Sequence, residues 1–140
     1  MPRKVWTFDP HSGGVPIPPA LKDSLCARLE AYAAKNYSGK FERLEITFRG
    51  ALCYINAYQE PDPPSPDFLA ASGETVEEYF ARRRSNPFRL GRLRHCGMER
   101  WSYAFYAYSN ERYEPCLFPD GSWLGTPEDA FEMGAVYLQD

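Results

Sequence analysis

Residues 100–118, Arg-Trp-Ser-Tyr-Ala-Phe-Tyr-Ala-Tyr-Ser-Asn-Glu-Arg-Tyr-Glu-Pro-Cys-Leu-Phe, restrict the fold more than any other stretch of the chain. Trp101, Tyr103 and Phe105 alternate with Ser102, Ala104 and Tyr106. A period of two is the spacing of a β-strand, whose successive side chains point to opposite faces. Aromatic side chains also suit a pleated, half-buried surface. The polar segment Ser109-Asn110-Glu111-Arg112 then supplies a turn before a second short run. The stretch reads as a β-hairpin that the rest of the chain has to cover.

The remaining elements follow from periodicity and punctuation. Val5-Trp6-Thr7-Phe8 reads as a short strand, and the Gly- and Pro-rich residues after it as a loop. Leu21, Leu25, Leu29, Tyr32 and Asn36 recur at helical spacing, which predicts a helix over 19–36 opened by proline. Leu44, Ile46 and Phe48 alternate with charged and polar neighbours, and Gly50 sits where a tight turn needs it, so 41–49 and 51–59 form a hairpin. Pro61, Pro63, Pro64 and Pro66 exclude a helix interior or a central strand from 60–73, which reads as a surface connection or docking segment. Thr75 and Glu78 match a capping box for a helix over 75–84, with Val76, Tyr79, Phe80 and Arg83 as its inner stripe. Residues 88–96 form a third strand leading into the aromatic one. Thr126-Pro127-Glu128-Asp129 is a helix start that Gly134 ends, and 135–138 returns as a last strand. Tight turns between strands imply antiparallel pairing. The expected class is α+β: a mostly antiparallel sheet of five to six strands, one long N-terminal helix packed on a face, and two short helices. At 140 residues this is a single domain, 1–140, long enough for a real core.

Charge narrows the function. The net charge of −3 gives no global attraction to nucleic acid or anionic lipid. Yet Arg82, Arg83, Arg84, Arg89, Arg92, Arg94 and Arg100 share one window with Glu99 as its sole acid, while the segment from Glu111 onward is acidic. Arg3 and Lys4 precede no apolar run, and no stretch is long enough to span a membrane, so the expected location is cytoplasmic. Cys26, Cys53, Cys96 and Cys116 are widely spaced without a C-x-x-C pair, which predicts reduced thiols and no metal site.

The basic window beside the aromatic strand is the leading candidate for a working surface. Proteins that hold single strands combine cationic groups with aromatic faces. Arg92 and Arg94 share one face of their strand, and Leu93 and His95 the other. If Arg94 lies opposite Trp101 and Arg92 opposite Tyr103, the surface is a basic and aromatic platform. A slip of one residue sends those aromatics into the core with Leu93.

Other motifs are weaker. His11 and His95, the two histidines, supply the base and acid that a metal-independent phosphodiester cleavage assisted by arginine needs. Ser12-Gly13-Gly14 offers backbone N–H groups to an anion but lacks the P-loop lysine. Cys96 beside His95 is no dyad, because strand neighbours diverge. Glu42, Glu45, Glu77 and Glu78 sit where solvated faces are expected.

Phe48-Arg49-Gly50 with Cys53-Tyr54-Ile55, Arg100-Trp101 followed by Tyr106-Ala107-Tyr108-Ser109 and Tyr113-Glu114-Pro115, and Gly125-Thr126-Pro127-Glu128-Asp129-Ala130-Phe131 resemble a group of small uncharacterised bacterial proteins of similar length. The resemblance implies a stand-alone bacterial domain and brings no activity. The expected function, read from the arginine-rich strand and the adjoining hairpin, is a non-enzymatic binding domain for an anionic partner, an acidic protein surface or a nucleic acid. Its ligand-binding residues are Arg83, Arg92, Arg94, Arg100, Tyr106 and Tyr108, with no cofactor and no catalytic residue assigned. The alternatives are a small nuclease or phosphate-transfer enzyme using His11 and His95, and a structural subunit or homodimer component.

Overall fold

Proline at the first helical position, with its φ already set for a helix, opens the first element. A computed structural model describes residues 13–138, and in it helix α1 spans Pro19–Asn36 as the periodicity predicts. Leu25, Leu29 and Ala33 lie on one stripe and are buried; Asn36, at the end of that stripe, is exposed and donates its side-chain amide to the Tyr32 carbonyl at 3.0 Å. Strands β1 (Arg43–Arg49) and β2 (Leu52–Tyr58) form the hairpin about Gly50. Strands β3 (Phe88–His95), β4 (Trp101–Ala107) and β5 (Arg112–Cys116) complete a five-stranded antiparallel sheet in the order β1-β2-β3-β4-β5.

The connection from β2 to β3 differs from the sequence reading. Its prolines do not keep all of 60–73 irregular. Helix α2 forms over Pro66–Ser72, because Pro66 stands at its first turn and Ser65 accepts a hydrogen bond from the Phe68 N–H at 3.1 Å. Gly73, at φ +75°, ends it. Helix α3 (Val76–Ser85) opens with the expected Thr75 and Glu78 capping box. Its inner stripe is narrower than predicted: Tyr79 is buried, whereas Val76 is 45% exposed. Tyr79 donates its hydroxyl to the Asp62 carbonyl at 3.1 Å and meets the Phe68 ring at 5.6 Å, so α3 rests on the proline segment and on α2.

Helix α4 (Pro127–Gly134) has the Thr126 and Asp129 capping box. The expected last strand is instead a 3₁₀ turn, Ala135–Leu138, which continues directly from α4 and buries Ala135 and Leu138. Among the described residues the strands thus number five, within the expected range, and the short helices three rather than two. The expected strand at 5–8 and His11 lie outside the described residues.

Register divides the sheet into two faces. Leu93 pairs with Tyr103 and His95 with Trp101. Across the sheet, Ile46, Ile55 and Leu93 point the same way as Trp101, Tyr103 and Phe105. This first face meets Leu25, Leu29 and Ala33 of α1 and Phe131 of α4 in one hydrophobic cluster. Each fully buried Leu or Ile contributes about 2 kcal/mol.

Two glycines set how closely the layers meet. The register of β2 and β3 shifts between Ile55 and Asn56, so Leu90 is an extra residue beside Gly91. Gly91 has φ +154°, and the space a Cβ would fill is taken by the Tyr103 ring. Tyr103 in turn donates its hydroxyl to the Leu90 carbonyl at 2.6 Å, and burial pushes that hydroxyl's pKa up. On α4, a Cβ at Gly134 would collide with the Leu90 carbonyl. The helix therefore lies directly behind the bulge.

Arg28 joins three separate pieces of chain. From α1 it donates to Glu128 of α4 at 2.7 Å and to Glu99 of the β3–β4 turn at 2.9 Å. The hydrogen bond from Arg28 holds the Glu128 carboxyl below its usual range. Its contribution is therefore present above the unfolded carboxyl pKa and lost as pH falls through the depressed folded value.

Two outcomes follow from this packing. Gly91→Ala lowers the unfolding free energy in urea by about 2 kcal/mol or more, because the methyl meets the Tyr103 ring and the backbone is unsuited to it. Arg28→Ala lowers stability at neutral pH by about 1 kcal/mol, a value kept small by solvent screening of the partly exposed pair. Its thermal denaturation approaches that of the wild type as pH falls below about 4.

Candidate functional site

Antiparallel pairing puts a second set of side chains on the reverse of the sheet. These are Arg43, Glu45, Thr47 and Arg49 of β1, Leu52, Tyr54, Asn56 and Tyr58 of β2, and Arg89, Arg92 and Arg94 of β3. Ser102, Ala104 and Tyr106 of β4 and Tyr113 and Pro115 of β5 complete it. Helices α1 and α4 pack on the first face, leaving tyrosine and arginine as the dominant chemistry of this second one. Strict alternation would have sent Arg89 to the core side, since it stands three residues before Arg92. The Leu90 and Gly91 bulge absorbs one residue and returns Arg89, paired with Asn56, to the side of Arg92.

The tyrosines form a chain of edge-to-face contacts. Ring centroids are 5.5 Å apart for Tyr54 and Tyr113, 5.1 Å for Tyr113 and Tyr106, and 4.8 Å for Tyr106 and Tyr108. Tyr54 and Tyr113 stand on strands separated by three spacings, about 14 Å at the usual distance between strands. Their rings meet by reaching across the two intervening strands, on which Ala104 is 4% exposed although it lies on this face.

Arginines lie against these rings. The Arg43 guanidinium is 3.8 Å from the Tyr58 centroid, Arg89 is 4.4 Å from Tyr106, and Arg92 is 5.2 Å from Tyr113. The ring quadrupole attracts each cation. Burial pushes the Tyr113 hydroxyl upward, opposed by a hydrogen bond from Arg89 that pulls it down. The Arg89 N–H also donates to the Tyr108 hydroxyl at 2.9 Å. Among the described residues, Arg43, Arg89 and Arg92 enter no ion pair, whereas Arg82 pairs with Glu74, Arg84 with Glu60 and Arg112 with Glu114. The nearby acids are Glu45, which accepts from Asn56 at 3.2 Å and Tyr58 at 3.4 Å, and Glu111, which lines a cleft with Arg89, Tyr106 and Tyr108.

The residues expected to bind a ligand divide into three groups. Arg92, Tyr106 and Tyr108 fall together in this cluster. Arg83 lies one step away: it donates to the Tyr79 hydroxyl at 3.0 Å and lines a cleft of about 640 Å³ with Asp62, Phe88, Tyr108 and Tyr137. Arg94 and Arg100 lie toward the other end of β3. Arg94 donates to the Gly13 carbonyl at 2.8 Å, and residue 14 is held so tightly against Arg94, Ala51 and the His95 carbonyl that only glycine fits. Arg100 is exposed in the β3–β4 turn beside Glu99. The platform of Trp101, Tyr103 and Phe105 does not form, because the register pairs Arg94 with Ser102 and Arg92 with Ala104. Trp101 and Tyr103 are core residues.

The other candidate chemistry is occupied structurally. His95 is 5% exposed on the first face, against the Trp101 ring at 4.6 Å. Its Nδ1 faces the Val15 carbonyl at 3.2 Å and its Nε2 the Met98 carbonyl at 3.3 Å, which ties residues 13–17 to the β3–β4 turn. Burial raises the Cys96 thiol, and burial pushes Cys53 up to about 12, so neither is poised as a thiolate. Among the described residues no three His, Cys, Asp or Glu side chains cluster to hold a metal ion, and no helix is long and apolar enough to cross a membrane.

Sequence reading overlooked Tyr54, Tyr58, Tyr113 and Arg43. A signal for three of them existed: each tyrosine, or its strand, alternates with residues of the core face. Arg89 depended on the bulge, whose one sign was a glycine inside a strand pattern.

No protein-family model matches the chain, and no curated protein or solved structure matches it. Nothing in these comparisons bears on the expected resemblance to small bacterial proteins.

The Tyr54 and Tyr113 contact is open to direct measurement. A double-mutant cycle of Tyr54→Ala and Tyr113→Ala, followed by urea unfolding, gives a coupling of about 1 kcal/mol.

Proposed function

We propose that this is a binding domain that takes an anionic partner on the second face of its sheet. The observation that supports the reading is the set of three arginine–tyrosine stacks, Arg43 on Tyr58, Arg89 on Tyr106 and Arg92 on Tyr113, whose cations have no carboxylate partner among the described residues. A guanidinium laid on a ring keeps its N–H edge free for carboxylate, sulfate or phosphate oxygens. Its rotamer is already restricted by the ring, so less side-chain freedom is lost when the anion arrives. Arg83 lies in the neighbouring cleft with Tyr108, where Glu60 and Asp62 also line the wall. The chain's overall negative charge leaves this face as a local exception, which favours oriented docking over general polyanion adhesion.

A nuclease built on His11 and His95 has less support. One of its two groups is engaged on both ring nitrogens in the core side of the sheet.

The reading is tested with labelled heparin as a generic polyanion, titrated by fluorescence anisotropy over a salt series. Affinity falls as salt rises, and the slope of log affinity against log salt drops in Arg89→Ala/Arg92→Ala by about one ion per arginine removed. Heparin that fails to bind at low salt, or binds the variant equally well, counts against the second face.

A further inference from the structure

Resting on that reading, we infer that the anionic partner is single-stranded nucleic acid, held by stacking of its bases on the tyrosine-backed guanidinium planes. An acidic peptide and a nucleic acid both satisfy the N–H edge of an arginine. They differ in what they offer the flat outer side of the guanidinium. That side is weakly hydrated and stacks on planar π systems. A carboxylate side chain has nothing to lay on it, whereas an unpaired base does.

The geometry fits this second kind of ligand. The Arg89 and Arg92 guanidinium carbons lie over the Tyr106 and Tyr113 rings, 4.4 Å and 5.2 Å from the centroids, so each cation has an aromatic neighbour on the same face of the sheet. Tyr108, 49% exposed at the end of the tyrosine chain, adds an aromatic surface beside Arg89. Arg89 with Tyr106 and Arg92 with Tyr113 set two cation and ring pairs side by side, since Tyr106 and Tyr113 are themselves 5.1 Å apart, and paired charge and rings suit a strand of phosphates and bases. A duplex is a poorer fit. Its bases are stacked on one another, and groove reading needs a projecting helix or ribbon, whereas the helices that pack on this sheet lie on its other face.

The experiment compares four labelled probes against the full chain at about 50 mM salt: a 12-residue oligo-dT, the same backbone carrying abasic sites, a mixed-sequence duplex, and poly-glutamate. Each is repeated with Arg89→Ala/Arg92→Ala, with Arg89→Lys/Arg92→Lys and with Tyr108→Ala, after circular dichroism has confirmed that each variant is folded. The expected result is that oligo-dT binds more tightly than the abasic strand, the duplex and the peptide. The alanine pair weakens oligo-dT by about tenfold or more, and the lysine pair, which keeps charge but not the plane, by several-fold. Equal binding of the abasic strand, or full retention of affinity by the lysine pair, overturns stacking and hence the inference. Binding of poly-glutamate without oligo-dT overturns the inference while leaving an anion-binding face in place. Loss of all four probes, with heparin also failing, removes both.

Discussion

The one-residue bulge at Leu90 and Gly91 governs the chemistry of the whole sheet. Side chains of a strand alternate, so a single inserted residue exchanges the faces of everything on one side of it. Here the exchange keeps Phe88 with the core while holding Arg89 on the same side as Arg92. Without it, a guanidinium would enter the cluster of Ile55, Leu93 and Trp101, where an unpaired charge is very costly. The bulge is in turn held by Tyr103, whose ring fills the space above Gly91 and whose hydroxyl takes up the Leu90 carbonyl. Backbone irregularity and core packing thus fix each other.

The reverse of the sheet is stabilised by a different means. Among the described residues no helix supplies it with an apolar layer, yet Ala104 and Ser102 on this face are buried. Tyrosines there meet edge to face across strands, and arginines lie over ring faces. The resulting layer is thin, polar at its tips and positive. Such a layer contributes to stability in the free protein and remains chemically open toward solvent, so a surface for binding need not be a defect in packing.

Much of the architecture was readable from residue order. The α1 stripe, the Gly50 hairpin, the Thr75 and Glu78 capping box and the Thr126 helix start rest on local rules, and local rules carry through when the tertiary context agrees with them. The α2 helix was hidden because four prolines suggested a continuous break; only the placement of Pro66 at a first turn, behind Ser65, distinguishes a start from a stop. The 3₁₀ turn at 135–138 was hidden because Val136 and Tyr137 favour strands, while continuity with α4 decides the conformation. The site was half visible. Arg92, Tyr106 and Tyr108 belong to one patch, but which aromatics accompany the arginines depends on pairing between distant strands, and sequence order does not contain that register. The platform of Trp101 and Tyr103 failed for this reason, and Tyr54 and Tyr113 took its place.

The close fit of Gly134 behind Leu90 links a buried helix to the strand residue that adjoins Arg89. A methyl group at position 134 would press on the Leu90 carbonyl from the core side, and the adjoining residue, Arg89, is the one displaced on the outer surface. The orientation of an exposed cation is therefore set by the depth of a buried helix. Drift at either glycine would reshape the positive surface without altering a single residue that a ligand touches.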